Sequence, residues 1–132
     1  MTSLVLPGFS NQRFLLEPVG YRLWKVFNAV AYNLEDGRSL YVPRDFVTDF
    51  ASIPQILWFL WPPWRWDYGP AALVHDMGYF MHRELNDTTF TRKEIDDLFL
   101  RIMQERNTPE FTANAMYKTV RLVGDSNWNR KK

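Results

Sequence analysis

Small polar and acidic side chains interrupt two otherwise apolar stretches of the chain. The first stretch, TDFASIP, contains Asp49 and Ser52, and the second, ALVHDMGY, contains His75 and Asp76. A histidine near carboxylates can act as a general base, and imidazole and carboxylate groups are also good ligands for divalent cations. The two stretches therefore predict a catalytic site that includes these four residues, with a divalent metal ion bound by Asp49, His75 and Asp76.

The spacing of residues after Pro70 predicts a helix with two different faces. At about 100° per residue, His75, Tyr79 and His82 fall within about 60° of one another, and Leu73 lies on the opposite side with other apolar residues. A face of this kind leaves room for a ligand, a metal ion or another segment of backbone. An isolated His-Asp pair on a helix has a structural or surface role more often than a catalytic one, so both interpretations stay open.

A further carboxylate, Asp96, is predicted to join the site from the next helix. In the segment TRKEIDDLF, Asp96 flanks the apolar stripe of the predicted helix, whereas Asp97 points to solvent. The alternative for Asp96 is an ion pair with Arg92, which lies four residues earlier on the same side of the helix. Of the two adjacent aspartates, Asp96 is the one predicted to be catalytic.

The positions of Asp49 and Ser52 allow a functional and a structural interpretation. Asp49 is placed at a strand end just before a helix, and such junctions often carry functional side chains. Alternatively, Asp49 accepts hydrogen bonds from backbone amides of the turn, and Ser52 caps a helix that has Pro54 in its first turn. For Ser52 alone, the helix cap is the favoured interpretation.

The tryptophans are concentrated in one segment, because four of the six lie between Trp58 and Trp66. They form either a hydrophobic plug that completes a small core or the wall of a pocket in which a base or sugar ring stacks. On the second interpretation, Trp64 and Trp66 bind the ligand together with Thr48 and Tyr79.

Composition limits the classes of protein to be considered. The 132 residues, 46% of them hydrophobic, suffice for one compact core and predict a single domain, 1–132. The absence of cysteine excludes disulfides and thiolate metal ligands. A net charge of +1 gives no reason to expect general nucleic-acid binding. The densest apolar run is broken by two prolines, and the first residues lack a secretory signal, so neither transmembrane insertion nor export is expected.

The character of the chain changes near residue 52, which predicts an α+β fold. Residues 1–51 are strand-rich and predict a small antiparallel hairpin or meander, with a turn at Asp36-Gly37. Pro43 predicts an edge position or a bulge. Residues 52–124 predict three to four helices packed against this sheet, followed by a tail, 125–132. Helices are predicted to begin after Ser52, at Gly69-Pro70, at Thr91 with a capping box to Glu94, and at Thr108-Pro109-Glu110, the last three ending near Arg83, Arg106 and Gly124.

Three segments of the sequence, VPRDFVTDFASIP, GPAALVHDMGY and TRKEIDDLF, resemble in order and spacing the signature blocks of domain of unknown function 1353. The resemblance covers the chain from about Leu40 to Gly124 and implies a phage, prophage or bacterial origin and a polar site. The pattern of this family does not include His82. On this chain it falls on Thr48, Asp49, Ala51, Ser52, Pro54, His75, Asp76, Tyr79 and Asp96.

Several functions are compatible with these residues. The first is a small phage hydrolase that attacks a phosphodiester or amide in a nucleotide or a cell-wall fragment, and in one version it uses a divalent metal ion. A metal-free version has His75 as an Asp-oriented base and Ser52 as nucleophile. The others are a virion or tail-assembly accessory protein with a buried polar network, bound to a phage or host protein, and a module that sequesters a ligand. The expected location is the bacterial cytoplasm or the virion.

Overall fold

The computed structural model describes residues 8–10, 14–20, 23–50 and 68–129. It confirms the α+β class, with antiparallel strands in the N-terminal part and helices in the C-terminal part. The chain divides into a strand-rich unit, Met1–Asp49, and a helical unit, Phe50–Lys132. The single domain predicted from composition stays a prediction.

The strand-rich unit contains two three-stranded antiparallel sheets rather than the one hairpin or meander expected from the sequence. One sheet has the order β1-β4-β5 and the other the order β2-β3-β6. The separation follows from the chain between β3 and β4, where residues 27–29 leave the extended conformation. The strands are β1 (Gly8–Phe9), β2 (Leu16–Gly20), β3 (Leu23–Val26), β4 (Val30–Asn33), β5 (Ser39–Val42) and β6 (Val47–Thr48).

The hairpin of β4 and β5 confirms the turn predicted at Asp36-Gly37. Gly37 has a φ of +94°, a conformation that residues with a side chain rarely adopt. Asp36 closes the turn, because its carboxylate accepts hydrogen bonds from the backbone amide and guanidinium of Arg38. Pro43 follows directly after β5, so its missing N–H removes no hydrogen bond within that strand.

The described helices agree closely with the sequence prediction. Local signals account for their beginnings: α1 has a proline in its first turn, and α2 has the complete Thr91–Glu94 capping box. Helix α1 ends at Leu85, two residues beyond the predicted end at Arg83, and Asn86 caps it in the left-handed conformation. The helices are α1 (Gly69–Leu85), α2 (Arg92–Glu105), α3 (Glu110–Val123) and α4 (Asp125–Trp128).

The first three turns of α1 are buried around the whole circumference of the helix. All its residues from Gly69 to Tyr79 are buried, so the face that carries His75 and Tyr79 is covered as fully as the apolar face. Gly78 allows α2 to approach closely, because a β-carbon there would lie 2.5 Å from Cδ1 of Ile95. The polar side chains of α1 are therefore enclosed by neighbouring elements.

Two further predictions concern the segments beside these helices. The helix expected after Ser52 and the Trp-Pro loop up to residue 67 lie outside the described residues. In the predicted tail, residues 125–128 form the short helix α4. Within the ranges that the structure describes, no helix is both long and apolar enough to cross a membrane.

Candidate functional site

The carboxylate of Asp96 lies at the centre of a buried polar cluster between α1 and α2. Its Oδ1 atom is 2.7 Å from Nε2 of His75 and accepts a hydrogen bond of 2.8 Å from the hydroxyl of Tyr79. His75 and Tyr79 are one helical turn apart on α1, so both reach the same oxygen on α2. The structure thus brings together three of the residues predicted from the sequence.

Two arginines approach the other oxygen of the same carboxylate. Nη1 of Arg121, from the last turn of α3, donates a hydrogen bond of 2.7 Å to Oδ2 of Asp96. Nε of Arg92 is 3.7 Å from that oxygen, which confirms the ion pair predicted from the four-residue spacing. We call these five residues the Asp96 cluster: His75, Tyr79, Arg92, Asp96 and Arg121.

Burial and charge together determine the protonation of the cluster. His75, Tyr79 and Asp96 are each 0% exposed. Burial alone would raise the pKa of Asp96, but hydrogen bonds from His75, Arg121 and Tyr79 outweigh it and hold the pKa below its ordinary value. For Tyr79, burial and the negative charge of Asp96 raise the pKa of the phenol well above its ordinary value. Asp96 is therefore an ionised acceptor, and Tyr79 is a neutral donor.

Aromatic rings enclose the imidazole. The ring of His75 lies 4.4 Å from the ring of Tyr79 and 4.9 Å from that of Phe99. Trp128 of α4 packs edge-on against Tyr79 at 5.0 Å. The imidazole therefore has a carboxylate at one nitrogen and apolar surface around its ring.

Arg92 links the cluster to the end of α3. Its Nη2 donates hydrogen bonds to the carbonyl oxygens of Val120 and Arg121, at 2.9 and 2.8 Å. Its Nε also donates to the hydroxyl of Tyr79 at 3.3 Å. Both carbonyls lie in the last turn of α3, so Arg92 links the start of α2 to the end of α3. The carbonyl of Val120 also accepts a hydrogen bond of 2.8 Å from the amide of Gly124.

The other predicted site residues fall outside this cluster or outside the described chain. Asp76 is 4% exposed and follows His75 on α1. Thr48 is buried and Asp49 is exposed, and both belong to the strand-rich unit, so their meeting with His75 stays a prediction. Ser52, Trp64 and Trp66 lie outside the described residues.

His82 does not belong to the Asp96 cluster. Its ring stacks on the indole of Trp128 with centroids 3.9 Å apart and planes 6° from parallel. This separates it from His75, although the helical wheel placed both histidines on the same side of α1.

Metal binding by the predicted residues stays a prediction. Across the described ranges, no group of three or more His, Asp or Glu side chains is arranged to hold a metal ion. The predicted ligands Asp49, His75 and Asp76 are divided between the two units. Asp96 occupies Nε2 of His75, so a metal ion at this histidine would need Nδ1.

Sequence reasoning missed Arg121 as a member of the site. It lies 25 residues after Asp96, and no helical spacing relates the two positions. The only signal in the sequence is a basic residue in the last turn of α3, which commonly interacts with the helix dipole alone. Its contact with Asp96 depends on how α3 packs against α2.

The arrangement of Asp96 and His75 matches that of a general base and the group that orients it. An ionised, buried carboxylate beside Nε2 favours the tautomer that carries its proton on this nitrogen, which makes Nδ1 the basic nitrogen of the ring. The same contacts also describe a structural network in which each member has a partner. The geometry therefore supports proton transfer at Nδ1 of His75 or a stabilising role for the whole cluster.

Comparison with known proteins assigns the chain to a family but not to an activity. The comparisons with curated proteins and with solved structures found no match. A family model described as "Protein of unknown function (DUF1353)" matches residues 24–120. This match spans most of the chain and includes four of the five members of the Asp96 cluster, with Arg121 just beyond its end. The chain belongs to the DUF1353 family.

Proposed function

We propose that this protein is a hydrolase in which His75 acts as a general base and Asp96 orients it. The observation that carries the proposal is the 2.7 Å contact between Nε2 of His75 and Oδ1 of Asp96. A hydrogen-bonded base and orienting group is the arrangement by which histidine activates a nucleophile on unrelated folds. A phage or prophage origin, which the family resemblance implies, belongs to the same proposal.

The proposed reaction requires that water and substrate reach His75, which is 0% exposed in this structure. Nδ1 of His75 then removes a proton from water as the water oxygen attacks a carbonyl carbon. The new C–O bond forms while the carbonyl electrons move to oxygen, and their return breaks the bond to the leaving group. His75 then gives its proton to that group. Asp96 stabilises the imidazolium through Nε2, because the carboxylate stays ionised throughout. Ser52 as an alternative nucleophile stays a prediction.

The charges around His75 favour an amide or ester substrate over a phosphodiester. Arg92 and Arg121 are the cations of the cluster, and both are engaged with Asp96 and with backbone or phenol oxygens. A phosphate group would have to displace these contacts, whereas a neutral carbonyl does not need a cation. A cell-wall fragment with amide bonds fits this chemistry better than the nucleotide.

The metal-dependent version of the hydrolase needs the same atom as the proposed general base, Nδ1 of His75. Asp96 engages Nε2, so Nδ1 of His75 can serve as the base or as a metal ligand but not as both at once. Binding of a stoichiometric divalent cation that is lost on replacing His75 would favour the metal version. Activity in the presence of a chelator would favour the metal-free version.

A second candidate is an accessory protein of phage assembly in which the Asp96 cluster has only a structural role. The observation that favours it is the complete burial of His75, Tyr79 and Asp96. Phe111 and Leu122 on α3 are 80% and 82% exposed, and apolar side chains of this size at the surface are common at contacts with partner proteins. This candidate predicts no turnover of any substrate.

The test compares the two histidines, which lie on the same helix. Purified wild-type protein, His75→Asn and His82→Asn are assayed against p-nitrophenyl esters, peptidoglycan fragments and bis(p-nitrophenyl) phosphate, with added Ca²⁺ or Mg²⁺ and with chelator. The hydrolase proposal expects hydrolysis of an ester or amide that falls at least about 100-fold in His75→Asn but not in His82→Asn.

Thermal unfolding of the same three proteins separates catalysis from folding. Loss of activity in a His75→Asn protein that still unfolds cooperatively supports a role for His75 in chemistry. Equal activity of His75→Asn and wild type would rule out His75 as the base. Absence of hydrolysis in the wild type, together with a large loss of stability in His75→Asn, would support the structural candidate.

A further inference from the structure

Arg121 and His75 approach opposite oxygens of the same carboxylate. His75 and Tyr79 use Oδ1 of Asp96, and Arg121 donates to Oδ2 at 2.7 Å. The two oxygens are therefore divided between the imidazole on α1 and the guanidinium on α3. Such a division fixes the rotation of the carboxylate about its Cβ–Cγ bond, because turning it would break both sets of hydrogen bonds.

Arg92 is not placed to substitute for Arg121. Its Nη2 is held by the carbonyl oxygens of Val120 and Arg121, and its Nε lies 3.7 Å from Oδ2 of Asp96. Within the described helical unit, Arg121 thus makes the short charged hydrogen bond to Asp96, and Arg92 adds a longer-range attraction. Gly124 keeps this region compact, because a β-carbon there would lie 2.7 Å from the hydroxyl of Tyr79.

We propose that Arg121 is a positioning residue that holds the orientation of the Asp96 carboxylate, so that His75 is held as the Nε2–H tautomer. Arg121 acts through Asp96 and does not itself touch a reacting atom. The consequence for catalysis rests on the proposed function, since only a base at Nδ1 would need this tautomer. The tautomer itself can be observed without any substrate.

The test measures the imidazole nitrogens of His75 by ¹⁵N NMR at one neutral pH. The chain contains two histidines, so the spectrum of His82→Asn assigns the signals of His75. Wild type is expected to show a single Nε2–H tautomer. Arg121→Met, which keeps the length of the side chain but removes its charge, is expected to lose this single state, and Arg121→Lys is expected to restore most of it.

Arg101→Met is the matched control. Arg101 forms an exposed ion pair with Glu105 on α2, so its replacement removes an arginine of the same unit without touching Asp96. The tautomer of His75 should be unchanged in this variant. If Arg121→Met fails to fold, Arg121→Ala, which likewise has no donor to Oδ2, is measured in the same way.

The tautomer of His75 in these variants tests the role of Arg121, and hydrolysis tests the proposed function. A wild-type His75 in the Nδ1–H form, or an unchanged Nε2–H signal in a folded Arg121→Met or Arg121→Ala protein, would overturn the inference. Loss of the single tautomer in a protein without hydrolytic activity would support the inference and reject the hydrolase. If hydrolysis is found, Arg121→Met is expected to reduce it about 10- to 100-fold.

Discussion

Oδ1 of Asp96 on α2 lies 2.7 Å from Nε2 of His75 on α1, and neither side chain is exposed. The pair links α1 and α2 through the negative charge of Asp96, which is buried away from water. Removing an ion from water is costly, and the contacts of Arg121, Arg92 and Tyr79 offset that cost. Changes to this carboxylate should therefore affect stability more than changes to any neighbouring charge.

Asp96→Asn should lower the free energy of unfolding by about 3 kcal/mol. The amide cannot carry the charge that compensates Arg121, and its NH₂ group would face a donor wherever it is placed. Urea denaturation followed by circular dichroism measures the difference between wild type and variant.

Asp97→Asn is the control for Asp96→Asn, because the two aspartates are adjacent on α2. Asp97 is 45% exposed and pairs with Lys93 at the surface, an interaction that contributes at most about 1 kcal/mol. If both variants lose the same stability, the buried cluster does not have the role argued here.

The stability contributed by Asp96 should disappear in acid. Its pKa in the folded protein lies below the ordinary value of 3.8, so the folded state binds fewer protons than the unfolded state between these two values. The contribution is therefore complete above about pH 5 and is lost as the pH falls through the ordinary value towards the lowered one.

Denaturant unfolding of wild type and Asp96→Asn between pH 7 and pH 2 tests this dependence. The difference in unfolding free energy should be constant near neutral pH and should narrow below about pH 4. Asp97 also has a lowered pKa but is present in both proteins, so it does not affect the difference. A constant difference over the whole range would contradict the prediction.

Gly78→Ala should destabilise the helical unit by about 1 to 3 kcal/mol. The added β-carbon would lie 2.5 to 2.9 Å from three side-chain atoms of Ile95, so α1 and α2 would have to move apart. Thermal melting measures the loss, and the double variant Gly78→Ala with Ile95→Ala should lose less than the sum of the two single variants. Strict additivity would show that the two residues do not collide.

Thr108→Val should raise the free energy of unfolding by about 1 kcal/mol. Thr108 is 6% exposed, and its buried hydroxyl has no hydrogen-bond partner. Valine replaces this hydroxyl with a methyl group of similar size and so removes a buried polar group that has no partner. Thr91→Val is the opposite case, because the hydroxyl of Thr91 caps α2 by accepting from the amide of Glu94. That variant should lose about 1 kcal/mol, and the same sign of change in both would refute the argument.

Local signals explain why the described helices and the turn between β4 and β5 are predictable from the sequence. The capping box of Thr91 and Glu94 acts within four residues, and the turn at Asp36-Gly37 is equally local. The apolar period of α2 separates Asp96, which is buried, from Asp97, which is half-buried. Such patterns depend on neighbouring residues alone and therefore do not require knowledge of the packing.

The division of the strands and the burial of α1 could not be obtained in this way. The sequence predicts a hairpin or meander, but pairing between distant strands places β1 beside β4 and β6 beside β3. Likewise, a helical wheel describes one helix by itself and cannot show that α1 is covered on all sides. These features depend on which elements become neighbours.

The sequence by itself determined the α+β class, the ends of the described helices, and the residue types from which a polar site can be built. Only the tertiary structure decided that Asp96 joins His75 and Tyr79, that Arg121 completes the cluster, and that His82 stacks on Trp128 instead. These partners are 17 to 46 residues apart in sequence, and His75 and His82 lie on the same side of one helix. Sequence spacing therefore cannot show which contacts form, because the contacts depend on how the helices pack and on which rotamers the side chains adopt.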